Sequence, residues 1–112
     1  MKVVIAGSSK LQEKIAVWVN YWNGKDGCSV LDYPKAIPED NFLELYPDIH
    51  KSFFKNITEA DILFIANDKK NGIEGYIGAE TFAELGFGLA QKLVNGKNIK
   101  LEIGRASCRE RV

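Results

Sequence analysis

One glutamate, Glu84, lies inside a mostly apolar segment that follows a glycine-containing loop. A buried, ionised carboxylate is costly unless it is paired or used in chemistry. Such a group could attack the anomeric carbon of a sugar, provided that a second group activates the leaving group. Glu80 lies one helical turn earlier, and like charges at this spacing can raise the pKa of one partner. Glu80 is therefore a candidate auxiliary group. The alternative is that it only interacts favourably with the helix dipole, as a glutamate in the first turn of a helix does.

Other polar residues follow the predicted strands and could bind a ligand there. The turn Gly7-Ser8-Ser9 leads from a strand into a helix, which offers backbone N–H groups to an anion, although these serines could equally just cap the helix. His50 is the only histidine, at the rim of an apolar helix face, where a packed or solvated role is more common than catalysis. Leaving-group activation could come from Asp32, Glu80, Asp68 or Tyr76. The predicted ligand-binding residues are Gly7, Ser8, Ser9, Asp32, Asn67, Tyr76 and Gly78, with His50 as a further auxiliary group.

Composition excludes several classes of function. The 112 residues suffice for one small domain, and the net formal charge of zero argues against a nucleic-acid partner. No apolar run reaches membrane-spanning length, so we expect a cytoplasmic protein without a membrane partner. Cys28 and Cys108 form no metal or disulfide pattern, and neither a Walker P-loop nor Gly-x-Gly-x-x-Gly occurs. We therefore expect no metal and no cofactor.

The last ten residues differ in character from the rest of the chain. All three arginines, Arg105, Arg109 and Arg111, occur there, and the segment has no apolar periodicity. It resembles the translation of a sequencing-adapter read-through. We therefore predict a domain over residues 1–102 and a non-native tail over 103–112; the alternative is a basic arm for an acidic partner.

Strands and helices are predicted to alternate along the chain. Apolar runs predict strands at residues 2–6, 28–33 and 60–66 and a further strand beginning at 98, which the tail interrupts. Helical spacing predicts a helix after Ser9, one running from Pro47 to about Thr58, and one over 79–93. This order predicts an α/β flavodoxin-like three-layer sandwich with a parallel four-stranded sheet, and a truncation of the sheet at its C-terminal end stays open. The candidate site residues would then meet at the carboxyl edge of the sheet.

Three segments resemble the nucleoside 2-deoxyribosyltransferase-like superfamily. The first strand ends in Gly7-Ser8-Ser9, and a helix leads through Ile57-Thr58-Glu59-Ala60-Asp61 into a hydrophobic strand. The segment from Ala83 to Ala90 is similar to the family's Glu-Leu/Ile-Gly-Tyr/Phe-Ala motif. The resemblance implies a flavodoxin-like fold, a homo-oligomer with shared active sites, a nucleoside or nucleotide substrate, and Glu84 as the nucleophile that takes the deoxyribosyl group.

Two positions depart from the family pattern. Phe53 stands where family enzymes usually keep an aspartate, and Gly78 stands six residues before Glu84, where an aspartate or serine is common. His50 or Asp32 could substitute for these groups. The segment around Gly78 is similar to uncharacterised branches of the superfamily. The sequence thus leaves two functions open: transfer or hydrolysis at an N-glycosidic bond, or a non-catalytic nucleotide-binding domain on the same fold.

Overall fold

The computed structural model of the chain contains a four-stranded, all-parallel sheet with helices against both faces. It describes residues 1–36, 42–73 and 75–104, with Phe42 described by its backbone alone. The strand order is β2-β1-β3-β4, which is compatible with a flavodoxin-like sandwich and confirms the predicted α/β fold. The strands are β1 (Lys2–Gly7), β2 (Ser29–Asp32), β3 (Ile62–Ala66) and β4 (Lys100–Gly104), and the helices are α1 (Gln12–Asn23), α2 (Phe42–Glu59) and α3 (Ala79–Leu93).

Alternate residues of the central strands supply two separate cores. Val3 and Ile5 face α1, where they pack with Trp18 and other apolar side chains. Val4 and Ala6 face the opposite way, into the core beneath α2 and α3. Every residue of β3 is buried, as expected for a strand covered on both faces.

Helix α3 approaches the sheet closely at Gly88. A Cβ atom at this position would lie 2.5 Å from Cδ2 of Leu63, which is itself fully buried. Glu84 lies one turn earlier on the same buried side of α3. Because Gly88 has no side chain, α3 packs close to the sheet, and the Glu84 segment on the same side of the helix lies toward the interior.

The start of α1 differs from the prediction. Ser8 and Ser9 were expected to cap the helix, but Leu11 is the N-cap residue and makes no side-chain capping bond. The backbone turn accounts for the difference, because Leu11 N–H donates to the Ser8 carbonyl at 3.1 Å and places both serines before the cap. Gln12 Nε2 donates to the Ser9 carbonyl at 2.5 Å.

The start of α2 also differs from the prediction. A helix beginning at Pro47 is wrong, because α2 already begins at Phe42 and contains Pro47 in its interior. Proline removes one backbone donor and crowds the preceding turn, yet it lies less than two turns from the helix start, so little of the hydrogen-bond ladder is disturbed. None of the helices in the described ranges is both long and apolar enough to span a bilayer.

The last strand continues beyond its predicted end. β4 starts at Lys100 rather than at residue 98 and runs through Gly104, with Ile103 opposite Ile65 and Gly104 opposite Ala66. Pairing needs only backbone donors and acceptors, so it extends without an apolar pattern. The predicted domain end at residue 102 therefore falls inside β4, and residues 105–112 of the predicted tail lie outside the described part.

Candidate functional site

A cavity of about 320 Å³ opens at the carboxyl edge of the sheet, against α2 and α3. Gly7 from the end of β1 and Asp32 from the end of β2 form its sheet side. Side chains of helix α2 form one wall of the cavity, and α3 contributes Glu80 and Glu84. This is the edge at which open α/β sheets bind their ligands.

Glu84 is the most unusual group in this cavity. Its residue is only 7% exposed, because Thr81, Glu84 and Gly88 fall on the side of α3 that faces the sheet. Burial, together with the nearby charges of Glu80 and Asp32, raises the pKa of the Glu84 carboxyl to about 8. Within the described ranges, no group hydrogen-bonds or ion-pairs with Glu84. The carboxyl can thus hold a proton near neutral pH and release it above that range.

Asp32 is held in place by three donors. The Tyr33 backbone N–H and Lys35 Nζ approach its Oδ1 at 2.8 Å and 3.3 Å, and Asn56 Nδ2 donates to its Oδ2 at 2.8 Å. The Asp32 side chain is 12% exposed. These bonds fix an acceptor at the end of β2 that can hold a ligand hydroxyl.

Glu80, Tyr46 and His50 form a cluster that joins the two helices. The Tyr46 hydroxyl donates to Glu80 Oε1 at 2.8 Å, and the same hydrogen bond raises the pKa of Tyr46. His50 Nε2 lies 3.7 Å from Glu80 Oε2, and its ring centroid lies 4.0 Å from that of Tyr46. His50 and Glu80, the two possible auxiliary groups, both border the cavity and lie close to each other.

A second, wider hollow of about 810 Å³ adjoins the first cavity at Glu80. It shares Gly7, Ser9 and Glu80 with the first cavity, so the two are contiguous. The other residues that line it include Ser8, Lys10, Lys70, Tyr76, Gly78 and Thr81. The predicted ligand-binding residues other than Asn67 thus lie along one or both of the two spaces.

Asn67 and Asp68, two predicted site residues that follow β3, border neither the cavity nor the wider hollow. Asn67 donates its backbone N–H to the Gly104 carbonyl at 2.9 Å. Its Oδ1 is buried and has no hydrogen-bond partner among the described residues. Asp68, a candidate for leaving-group activation, is buried and accepts a hydrogen bond from Trp18 Nε1 at 3.2 Å. Packing of the Trp18 indole against β3 draws this carboxylate inward.

Helix α2 contributes site residues that the sequence did not single out. Asp48, Ser52 and Asn56 lie at successive four-residue intervals; the first two line the cavity and the third holds Asp32. Phe53 adds an apolar wall beside them. The four-residue spacing of polar side chains beside the apolar face was the available signal, but it became useful only once β2 was placed next to α2.

Comparisons of the chain with protein-family models, with curated proteins and with solved structures give no match. Across the described ranges, no three histidine, cysteine or acidic side chains are arranged to hold a metal ion. Any functional conclusion must therefore come from the chemistry of the side chains around Glu84.

Proposed function

We propose that the protein acts on the N-glycosidic bond of a nucleoside or nucleotide, by base transfer or hydrolysis, with Glu84 as the nucleophile. The observation that carries this proposal is a buried carboxyl that borders a cavity and has no partner within the described ranges. The motif resemblance around Glu84 supports the same role. Residues at Gly7 to Ser9 and Asp32 would position the ligand.

The proposed reaction consists of two displacements at the anomeric carbon. An oxygen of ionised Glu84 forms a bond to C1′ while the C1′–N bond breaks, and the electron pair leaves with the base nitrogen, which takes a proton from water. A second base or a water then attacks C1′ and releases a proton to water, the ester bond breaks, and Glu84 regains its carboxylate. Asp32, held by Asn56, would hold a sugar hydroxyl.

The raised pKa of Glu84 gives this proposal a distinctive pH dependence. A nucleophile must be ionised, so kcat/KM should increase with pH until the pKa of the free enzyme, about 8, is passed. A glutamic acid that only donated a proton would produce the opposite trend. The direction of the profile therefore separates the two chemical roles.

The test is incubation of the purified chain with a panel of deoxynucleosides, their 5′-monophosphates and free bases, followed by chromatography. We expect base exchange or base release, and loss of activity by at least about a hundredfold in Glu84→Ala. Glu59→Gln, an exposed glutamate at the end of α2, serves as the matched control. Activity that is unchanged in Glu84→Ala would refute the proposal.

A second candidate function is nucleotide binding without turnover. Phe53 favours it, because this side chain is buried and lines the cavity at a position where the resembled enzymes carry an aspartate. Calorimetry that detects nucleotide binding together with the absence of products would support this function. The absence of any binding would remove it.

We further propose that the chain forms a homo-oligomer. Helix α3 exposes Phe82, Leu89 and Leu93 at helical spacing, and contiguous exposed apolar side chains commonly mark association surfaces. A second copy would cover this stripe, which begins close to the site residue Glu80.

A further inference from the structure

The start of α3 carries backbone donors that have no acceptor among the described residues. The first intrahelical bond runs from Phe82 N–H to the Gly78 carbonyl at 2.9 Å, so the N–H groups of Ala79, Glu80 and Thr81 precede the hydrogen-bond ladder. Gly78 is the N-cap residue and has no side chain that could accept from them. All four residues line the wider hollow.

Thr81 supplies a second, independent indication of a ligand. The residue is only 4% exposed, lines the same hollow, and makes no hydrogen bond through its hydroxyl within the described ranges. A threonine in a helix can bond back to the preceding turn, but this hydroxyl does not. Among the described residues the fully buried side-chain atoms that lack a partner belong to Trp22 and Asn67, so the Thr81 oxygen is still reachable from the hollow and can bond to a ligand there.

The charges around the hollow favour an anion. Lys10 and Lys70 both border it, and Lys70 Nζ lies 4.9 Å from the ring centroid of Tyr76. The opposing charge is Glu80 at the edge shared with the first cavity. Its carboxylate is turned toward Tyr46 and His50, which reduces its effect on the hollow.

We infer that the wider hollow binds an oxyanion of phosphate size, held by the N–H groups at the start of α3, the Thr81 hydroxyl and the two lysines. Free donors and a helix dipole together favour such an anion. The hollow is contiguous with the Glu84 cavity, so the anion could be a phosphate group of the ligand itself. This last identification rests on the proposed function, whereas anion binding does not.

The direct test is a titration of the ¹⁵N-labelled full chain with inorganic phosphate at constant ionic strength, balanced with chloride. We expect saturable shifts of the Ala79, Glu80 and Thr81 amide signals. Thr81→Val should weaken phosphate binding about tenfold, as expected for one lost hydrogen bond to a charged group. Thr81→Ser restores the hydroxyl and should bind close to the wild-type affinity.

Lysine variants provide a test that does not depend on folding of the Thr81→Val chain. Lys70→Gln should weaken phosphate binding and reduce its salt dependence, whereas Lys97→Gln, an exposed lysine just after α3, should not. Amide shifts that do not saturate, or wild-type affinity in both folded Thr81→Val and Lys70→Gln, would overturn the inference.

Comparison of a nucleoside with its 5′-monophosphate distinguishes this inference from the proposed function. Phosphate binding without any turnover would leave the anion site in place and remove the reaction. Equal turnover of both compounds without phosphate binding would leave the reaction in place and remove the anion site.

Discussion

The carboxyl of Glu84 makes the folded protein sensitive to pH. In the unfolded chain this group releases its proton near its ordinary pKa of 4.5, whereas the folded protein retains the proton up to about 8. The folded state therefore binds more protons between these values, so its stability falls as the pH rises through that window. Below pH 4.5 the contribution is fully present, and above pH 8 it is lost.

The corresponding variant is Glu84→Gln, which stays uncharged at every pH. The free energy of unfolding of the wild type should decrease by at most roughly 4–5 kcal/mol between pH 4.5 and 8. In the variant most of this decrease should be absent. Urea denaturation at several pH values measures this. Glu59→Gln should keep the wild-type profile, and an unchanged profile in Glu84→Gln would contradict the assignment.

Asn56 should matter more for stability than an asparagine with an exposed bond. Removing its amide in Asn56→Ala leaves one oxygen of partly buried Asp32 without a donor, at an expected cost of about 1–3 kcal/mol. Asn95, which donates to Gln91 in an exposed position, is the control, and its alanine variant should change the free energy of unfolding by less than about 0.5 kcal/mol. Equal losses in the two variants would show that the Asp32 contact contributes nothing particular.

The sequence could predict some of these residues and not others. Glu84 was identifiable because it lies within a mostly apolar run, beside Ala83, Leu85 and Gly86, which implies burial before any tertiary contact is known. Asn56 was not, because its partner lies 24 residues away and becomes adjacent only when α2 is placed beside β2. The burial of Asp68 was not predictable for the same reason, since its partner Trp18 is distant in the chain.

Two glycines of α3 should respond in opposite ways to the same substitution. No atom lies within 4 Å of the position that a Cβ atom would take at Gly86. Gly86→Ala should therefore stabilise the protein by about 0.5–1 kcal/mol through helix propensity. Gly88→Ala gains the same propensity but drives a methyl group into buried Leu63, with an overpacking cost of about 1–3 kcal/mol. We expect a lower melting temperature for Gly88→Ala and a higher one for Gly86→Ala.

A lower melting temperature for both glycine variants would show that α3 depends on glycine flexibility rather than on close packing.

At the scale of elements, strands β1 and β3 and helix α3 were predictable, because burial produces long apolar runs or clear helical spacing. The starts of α1 and α2 were less predictable. A backbone turn sets the start of α1, and Pro47 lies inside α2 rather than at its first turn boundary, so neither start leaves a decisive sequence pattern.

The whole molecule combines a balanced charge with an apolar stripe on α3. We expect the wild-type chain to sediment as more than a monomer, and Phe82→Lys combined with Leu93→Lys to shift it to a monomer. Light scattering over a range of concentrations measures both. Leu43→Lys, at an exposed position on α2, is the control and should not change the mass. A wild-type monomer at every concentration would contradict the proposed oligomer.

The overall topology followed from the alternation of strand and helix patterns, since parallel strands and right-handed crossovers leave few arrangements. The distribution of the predicted ligand-binding residues over two hollows did not, because it depends on how α2, α3 and the strand ends are placed in three dimensions.

The placement of both tryptophans on α1 has a practical consequence for spectroscopy. Trp18 and Trp22 pack with Phe64 in the core on one face of the sheet, whereas Glu84 lies in α3, which packs over the opposite core. Indole emission should therefore report the melting of the α1 layer and change little when a small molecule enters the Glu84 cavity. Ligand binding is better followed through tyrosine signals, since Tyr33 lines that cavity and Tyr46 contacts its Glu80.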